Sequence, residues 1–505
     1  MPANVAVNTG WVGRLGALAV VCGMSVVVAQ GPDASPAAVL AQGRALFSQG
    51  RYVEALAAFD QAAQGDDAEV APAARRWRVR TALRTAEFAR VRRDAEGLVS
   101  EAPRDAEALT LHGDAQWASG LFEEAESSYR VAFEASAPPS IDARRGLARA
   151  LASRGQLNDA LGQVQLALDT HADDPELLAV AGSIYERLGR YTEAAAAYDG
   201  YASRLAAAEN VAIGTARARA QFLRAFDGRP PSVVSGVGAK PRTVPFKLVN
   251  KKVVVQGRVN GMPVEFVLDT GAERTAITPE LAAQAGVRVL GSTLAAGVGS
   301  ASWRRIGLAR LDTLDVGGMR VRNVPVSVRA PAPGGAPRWQ SQTLSPLALG
   351  LSVVVDYREH RVLLGPVIPA DGADLVLPMR VHRLPLVRGT LNGGRPAAFI
   401  VDTGGEVISL NADVADSLAL RPARRIPLRV HGLEGLDSSA FLLPGVDLDV
   451  ASIALRQIGV AVLDLRSPSV LLGFQIGGIV GHKFLADRRV SFDLARSELR
   501  LSAAP

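Results

Sequence analysis

The sequence predicts a multidomain protein, an all-α solenoid of paired helices followed by an all-β region of two similar lobes. Three features predict it. A helical pattern returns with a period near 34 residues between residues 36 and 226. Helical periodicity then stops near Phe226, and short apolar stretches broken by Gly, Pro and Asn-Gly take over. Within that second region one phrase is written twice, as Phe266-Val267-Leu268-Asp269-Thr270-Gly271-Ala272-Glu273 and as Phe399-Ile400-Val401-Asp402-Thr403-Gly404-Gly405-Glu406.

The 505 residues exceed one ordinary domain, and 48% hydrophobic with 21% charged residues is the balance of a globular chain. Net charge is +6, from 56 basic and 50 acidic residues with no long Lys/Arg run. Without a basic patch or a reading motif, no nucleic-acid partner is expected. Residues 1–29 hold an apolar stretch, Leu15 to Ala29, behind a lone Arg14. It is short for a membrane span of ~20 residues, and Val27 and Ala29 suit a signal-peptidase cut after Ala29. The expectation is an exported, periplasmic protein; an uncleaved N-terminal anchor is the alternative, and the membrane would enter only through it. The single cysteine, Cys22, lies in this stretch, so a cleaved chain has no thiol chemistry and no disulfide.

Residues 36–226 repeat. Tyr52, Phe88, Phe122, Leu157 and Tyr191 stand 36, 34, 35 and 34 residues apart. Three residues on come Ala55, Val91, Ala125, Ala160 and Ala194, and seven residues on Phe59, Ala95, Tyr129, Val164 and Tyr198. Offsets of 0, 3 and 7 share one helix face. Gly50, Gly120, Gly155 and Gly189 precede the anchors by two residues, where a helix–turn–helix corner bends; Ala86 takes that place in the second repeat. The pattern resembles tetratricopeptide repeats, with Gly-Arg-Tyr-Val-Glu-Ala-Leu-Ala-Ala-Phe (50–59) and Gly-Arg-Tyr-Thr-Glu-Ala-Ala-Ala-Ala-Tyr (189–198) nearest to it. The resemblance implies a superhelix whose concave face binds a protein partner; a plain helical spacer is the alternative.

Residues 227–243, rich in Gly and Pro, read as a linker. Two units follow, 244–368 and 374–503. In the first, Val253 to Val255, Asn260-Gly261 and Val264 to Leu268 read as a hairpin. An offset of 133 maps Asp269 on Asp402, Glu273 on Glu406 and Ile277 on Leu410. Each copy ends on a strand, Val353 to Tyr357 and Val490 to Leu494. Chance supplies about 0.1 copies of Asp-Thr-Gly in a chain of this length, so two in register point to a pair.

This arrangement resembles the retropepsin-like aspartic proteases, with two lobes fused in one chain. Asp-Thr-Gly-Ala-Glu (269–273) and the late Ile479-Val480-Gly481-His482-Lys483-Phe484-Leu485 carry the resemblance. It implies a two-lobed barrel pair with Asp269 and Asp402 as the catalytic dyad. Thr270, Gly271, Thr403 and Gly404 would form the supporting loops, the threonines bracing them across the interface. Gly297, Gly299, Gly432 and Gly435 fall where flap hairpins lie, and Ala272, Glu273, Gly405 and Glu406 are cleft candidates. One departure stands out. After Ser345-Pro346-Leu347-Ala348-Leu349-Gly350 the interval to Asp356 is six residues shorter than that from Gly481 to Asp493, so the helix expected under the Asp269 loop is truncated or absent.

Two carboxylates held ~3 Å apart cannot both ionise, so they share a proton. The ionised one can activate a water and the protonated one can donate to a scissile carbonyl; the titrations belong to the pair. No cofactor is needed. The six histidines show no metal-ligand spacing, and no nucleophile elbow or phosphate loop occurs; His482 reads as a surface residue. The expected function is an aspartic endopeptidase acting on a protein or peptide. The alternative is a non-catalytic scaffold that binds peptides on the same fold.

Overall fold

The structure, a computed structural model, describes residues 35–503 apart from 66, 237–239, 300–302, 332–337, 371, 419–424 and 433–434. The expected signal segment, Cys22 and the tips Ser300, Leu433 and Glu434 lie outside the described residues. Among the described residues, no helix is long and apolar enough to cross a membrane.

Antiparallel helices fill the first half, from Pro36–Ser48 to Asn210–Arg224. Five of them begin at the repeat anchors, Tyr52, Phe88, Phe122, Leu157 and Tyr191. The residues three positions on are fully buried, and so are Phe59, Ala95, Tyr129 and Val164 seven positions on. The register of small and large residues explains the pairing. The Tyr129 ring lies against Gly113 and Gly146, where any side chain would collide with it. Asp105, Ser140 and Asp174 cap helix N-termini by accepting from the amides of Ala108, Ala143 and Leu177.

The β-rich half starts earlier than expected. Val233–Ser235, inside the supposed linker, pairs antiparallel with Arg320 to Arg322, so that segment is partly built into the first lobe. A three-residue strand is too short to leave an alternating pattern, which is why composition alone suggested a linker. The hairpin is as read: Lys252–Val259 and Met262–Leu268 are joined by Asn260 and Gly261, both at positive φ, as a two-residue turn matched to strand twist requires.

The two lobes repeat the same local topology. In the first, Val267 and Leu268 run parallel to Thr343 and Leu344; in the second, Phe399 to Val401 run parallel to Gly478 to Val480. The terminal strands of the two copies, Ser352–Asp356 and Arg488–Asp493, pair with each other. This joins the lobes within one chain, over a core that includes Phe266, Leu268, Phe399, Val401, Val355 and Phe492.

The solenoid packs directly on the second lobe. Trp117 and Phe122 meet His382 and Phe474 edge to face, with ring centroids 5.3 and 5.1 Å apart. The Gln475 amide donates to the Ala118 carbonyl at 2.7 Å. Phe474 is fully buried, which contributes about 1.5–3 kcal/mol. Beneath it, buried Arg380 pairs with Glu123 at 3.0 Å and Glu126 at 2.8 Å.

Candidate active site

Each Asp-Thr-Gly leaves its strand at the same place. The Asp269 amide donates to the Leu344 carbonyl at 2.9 Å, and the Asp402 amide to the Val480 carbonyl at 3.0 Å. Next, the Thr270 amide donates to Thr403 Oγ1 at 3.1 Å and the Thr403 amide to Thr270 Oγ1 at 3.0 Å. The hydroxyls complete the brace, Thr270 to the Val401 carbonyl at 2.7 Å and Thr403 to that of Leu268 at 2.8 Å. The expected cross-lobe bracing is present, and both threonines are buried.

The glycines let the carboxyls meet. A Cβ on Gly271 would stand 2.5 Å from Asp402 Cγ, and one on Gly404 2.7 Å from Asp269 Cγ. Each glycine therefore abuts the carboxyl of the other loop. The Gly404 amide donates to Asp402 Oδ1 at 2.7 Å. Burial pushes the Asp269 carboxyl up to about 8; the charge of Asp402 and a hydrogen bond to it add, while Arg329 and Lys252 oppose. The pair thus retains a proton through neutral pH, drawn toward the buried Asp269 side.

The glutamates do more than line a cleft. Glu273 pairs with Arg383 of the second lobe at 2.6 Å, and Glu406 with Lys252 of the first at 3.4 Å. Lys252 is buried and also donates to the Gly404 carbonyl. Each acid is therefore held by a cation from the opposite lobe. Ala272 and Gly405 have their carbonyls engaged, by Ser345 Oγ at 2.6 Å and the His482 amide at 2.9 Å.

The supporting segments differ less than the spacing suggested. The first lobe has a 3-10 turn, Leu347–Leu349, and the second a single helical turn, His482–Leu485. What the first lacks in length it recovers through Ser345, whose amide also donates to Thr275 Oγ1 at 3.2 Å. His482 is half-buried rather than fully exposed: its Nδ1 is buried and its ring stands edge-on to Tyr357 at 5.4 Å. The flap glycines meet at their tips. A Cβ on Gly299 would enter the Gly435 carbonyl, and one on Gly432 that of Val298. Val298 packs against the apolar cluster of the second lobe and the repeats that includes Leu386, Leu463 and Phe474, as do Leu428, Val430 and Ile479. Gly297 is half-buried.

Lys252, Arg329, Arg383 and Tyr357 escaped sequence reasoning. Lys252 alone had a signal, since the chain has only five lysines and two stand together just before the first hairpin. Among the described residues, no group of three or more His, Cys, Asp or Glu is arranged to hold a metal ion.

Fold and loop geometry together define a two-lobed, acid-protease-like unit joined to a helical repeat. A family model described as aspartyl protease matches residues 255–353 and 387–481, and one described as tetratricopeptide repeat matches 27–72 and 143–210. The chain carries an aspartyl-protease domain in two lobes, preceded by tetratricopeptide repeats. Solved structures similar to it include an aspartic proteinase from Irpex lacteus, 13% identical, covering 54% of this chain and 97% of that one with a TM-score of 0.34. A tetratricopeptide protein from Thermus thermophilus is 23% identical, covering 37% of this chain and 98% of that one with a TM-score of 0.32. No curated protein matches the chain.

Proposed function

We propose that the protein is an aspartic endopeptidase that hydrolyses peptide bonds through a water held between Asp269 and Asp402. The observation that carries this reading is the facing pair itself, braced by both threonines, with Asp269 holding its proton. Asp269 donates to the scissile carbonyl as the partner carboxylate takes a proton from the water. The neutral gem-diol collapses as Asp402 passes its proton to the leaving amine and Asp269 recovers one from a diol hydroxyl, so the dyad regains its shared proton. Substrate lies extended beneath the flap tips at Gly299 and Gly435, adding a strand through backbone hydrogen bonds. In this proposal the repeats bind a protein partner or the substrate itself, and the chain is exported, on the strength of its apolar N-terminal stretch.

The test is digestion of denatured protein, from acidic to neutral pH, by purified chain lacking residues 1–29. Cleavage is expected, and Asp269→Asn or Asp402→Asn should each remove it. Undiminished cleavage in both variants would sink the dyad. Absence of cleavage by the parent, with retained peptide binding, would leave a scaffold that keeps the fold for binding alone.

A further inference from the structure

The loop after Asp269 is tied to the helical repeats through a charged residue that has no charged counterpart after Asp402. Arg274, five residues past Asp269, pairs through Nη2 with Glu186 Oε1 at 3.2 Å. Glu186 belongs to the repeat helix Pro175–Arg187. There it also pairs with Arg219 at 2.6 Å and accepts from the Tyr198 hydroxyl at 3.3 Å. Burial alone would raise this carboxyl, but the two guanidiniums outweigh it and hold it below the ordinary range, so it stays charged. The offset of 133 places Val407 opposite Arg274, and Val407 is 42% exposed. Of the two Asp-Thr-Gly loops, the one with the shorter supporting segment is thus the one tied by an ion pair to the repeats.

We propose that Glu186 is a positioning residue for the Asp269 loop, acting through Arg274, so that the repeat half forms part of the active-site frame. Arg274 sits between two other fixed points. Glu273 is held by Arg383 of the second lobe, and the Thr275 hydroxyl accepts from the Ser345 amide. With Glu186 in place, three consecutive side chains are held by three different parts of the molecule. Without it, the middle one is a half-buried guanidinium with its carboxylate removed, and the loop can relax toward solvent. Such a shift moves the carboxyl that must face Asp402.

The inference rests on the proteolytic reading for its kinetic consequence but not for its structural one, and the experiment separates the two. Glu186→Gln, Glu186→Asp and Arg274→Gln are made in the full chain. Turnover of a reporter peptide is measured alongside amide hydrogen exchange over residues 266–277 and 399–410. Glu186→Gln should lower kcat about tenfold with KM within about twofold. It should also speed exchange over 266–277 and leave 399–410 unchanged. Glu186→Asp, which keeps the charge, should recover most of both effects. Arg274→Gln removes the same pair while leaving Glu186 on Arg219, and it supplies the result should Glu186→Gln fail to fold. Unchanged exchange over 266–277 in these variants overturns the proposal. So does equal loosening of both loops, which would mean a general packing role. A parent chain that cleaves nothing sinks the proteolytic reading, yet the exchange comparison still decides the positioning role.

Discussion

Thr270 and Thr403 donate to each other in both directions, each backbone amide reaching the other's hydroxyl at 3.0–3.1 Å. Each hydroxyl then donates onward to a strand carbonyl of the opposite lobe. The brace therefore ties the end of one apolar strand to the end of the other. Removing one hydroxyl leaves a buried amide and a buried carbonyl without partners, each costing about 1–3 kcal/mol. Thr403→Val, which keeps the shape, should destabilise the chain by about 2–4 kcal/mol and depress turnover. Thr403→Ser should stay near the parent in both. Urea unfolding of the three proteins checks the order; a Val variant as stable as the parent contradicts it.

The proton on Asp269 has consequences of definite sign. Its folded carboxyl titrates at about 8 against an ordinary 3.8, chiefly through burial and the adjacent Asp402 charge. Between those values the folded chain holds a proton that the unfolded chain has released, so stability from this group is complete below about 4 and lost as pH rises through about 8. Turnover should fall over the same upper limb as Asp269 ionises. Asp269→Asn cannot ionise. It should match the parent's stability to unfolding near pH 4 and exceed it near pH 8, by on the order of a few kcal/mol. A gap that does not widen with pH contradicts the assignment.

Much of the solenoid was legible because its determinants are local. The anchors, the residues three and seven on, and the corner glycines lie within one turn–helix unit, and five helices begin on the anchors. Ala86 shows how far this goes: it stands where glycine is expected, and it adopts φ 54°, near the 73–76° of the four corner glycines. A left-handed alanine carries a steric cost that glycine lacks, so Ala86→Gly should stabilise the chain by about 0.5–1 kcal/mol. Calorimetry reads this directly, and a lower Tm would show that the alanine methyl contributes packing that outweighs the strain.

The dyad was legible for a different reason, since the lobes are copies and internal repetition can be read without structure. What escaped is long-range pairing of charges. Lys252 with Glu406, Arg383 with Glu273 and Arg274 with Glu186 join residues 88 to 154 positions apart, and ion pairs leave no periodic trace. The short strand Val233–Ser235 escaped because its partner, not its own composition, makes it a strand.

Arg380 is a further hidden tie, between the solenoid and the second lobe. It is buried, and its guanidinium meets Glu123, Glu126 and the Ser153 hydroxyl. Glu126 is equally buried and retains Arg130 and Arg154 when Arg380 is lost. The cost should therefore fall below the ~3–5 kcal/mol of a fully orphaned buried charge. Arg380→Met should lose about 2–3 kcal/mol. Unfolding should also become less cooperative as the solenoid and the second lobe separate. A single, unshifted transition contradicts the coupling.

Gly271 and Gly404 separate a steric demand from a conformational one. Neither has a positive φ among the described residues, so alanine meets no backbone strain at either place. The obstacle is the opposite carboxyl, 2.5 Å from a Cβ on Gly271 and 2.7 Å from one on Gly404. Neither separation is tolerable for non-bonded heavy atoms, and the buried threonine brace resists moving the loops apart. The side chain that yields must be an aspartate: Asp402 in Gly271→Ala and Asp269 in Gly404→Ala. Turnover should fall by about a hundredfold or more in each, with the far-ultraviolet circular dichroism of the parent retained. Either displacement separates Asp269 from Asp402 and weakens the repulsion that helps raise its pKa, so the residual activity of both variants should lose its upper limb at a lower pH than the parent. Parent-like turnover in either variant would show that the two carboxyls do not meet across these glycines.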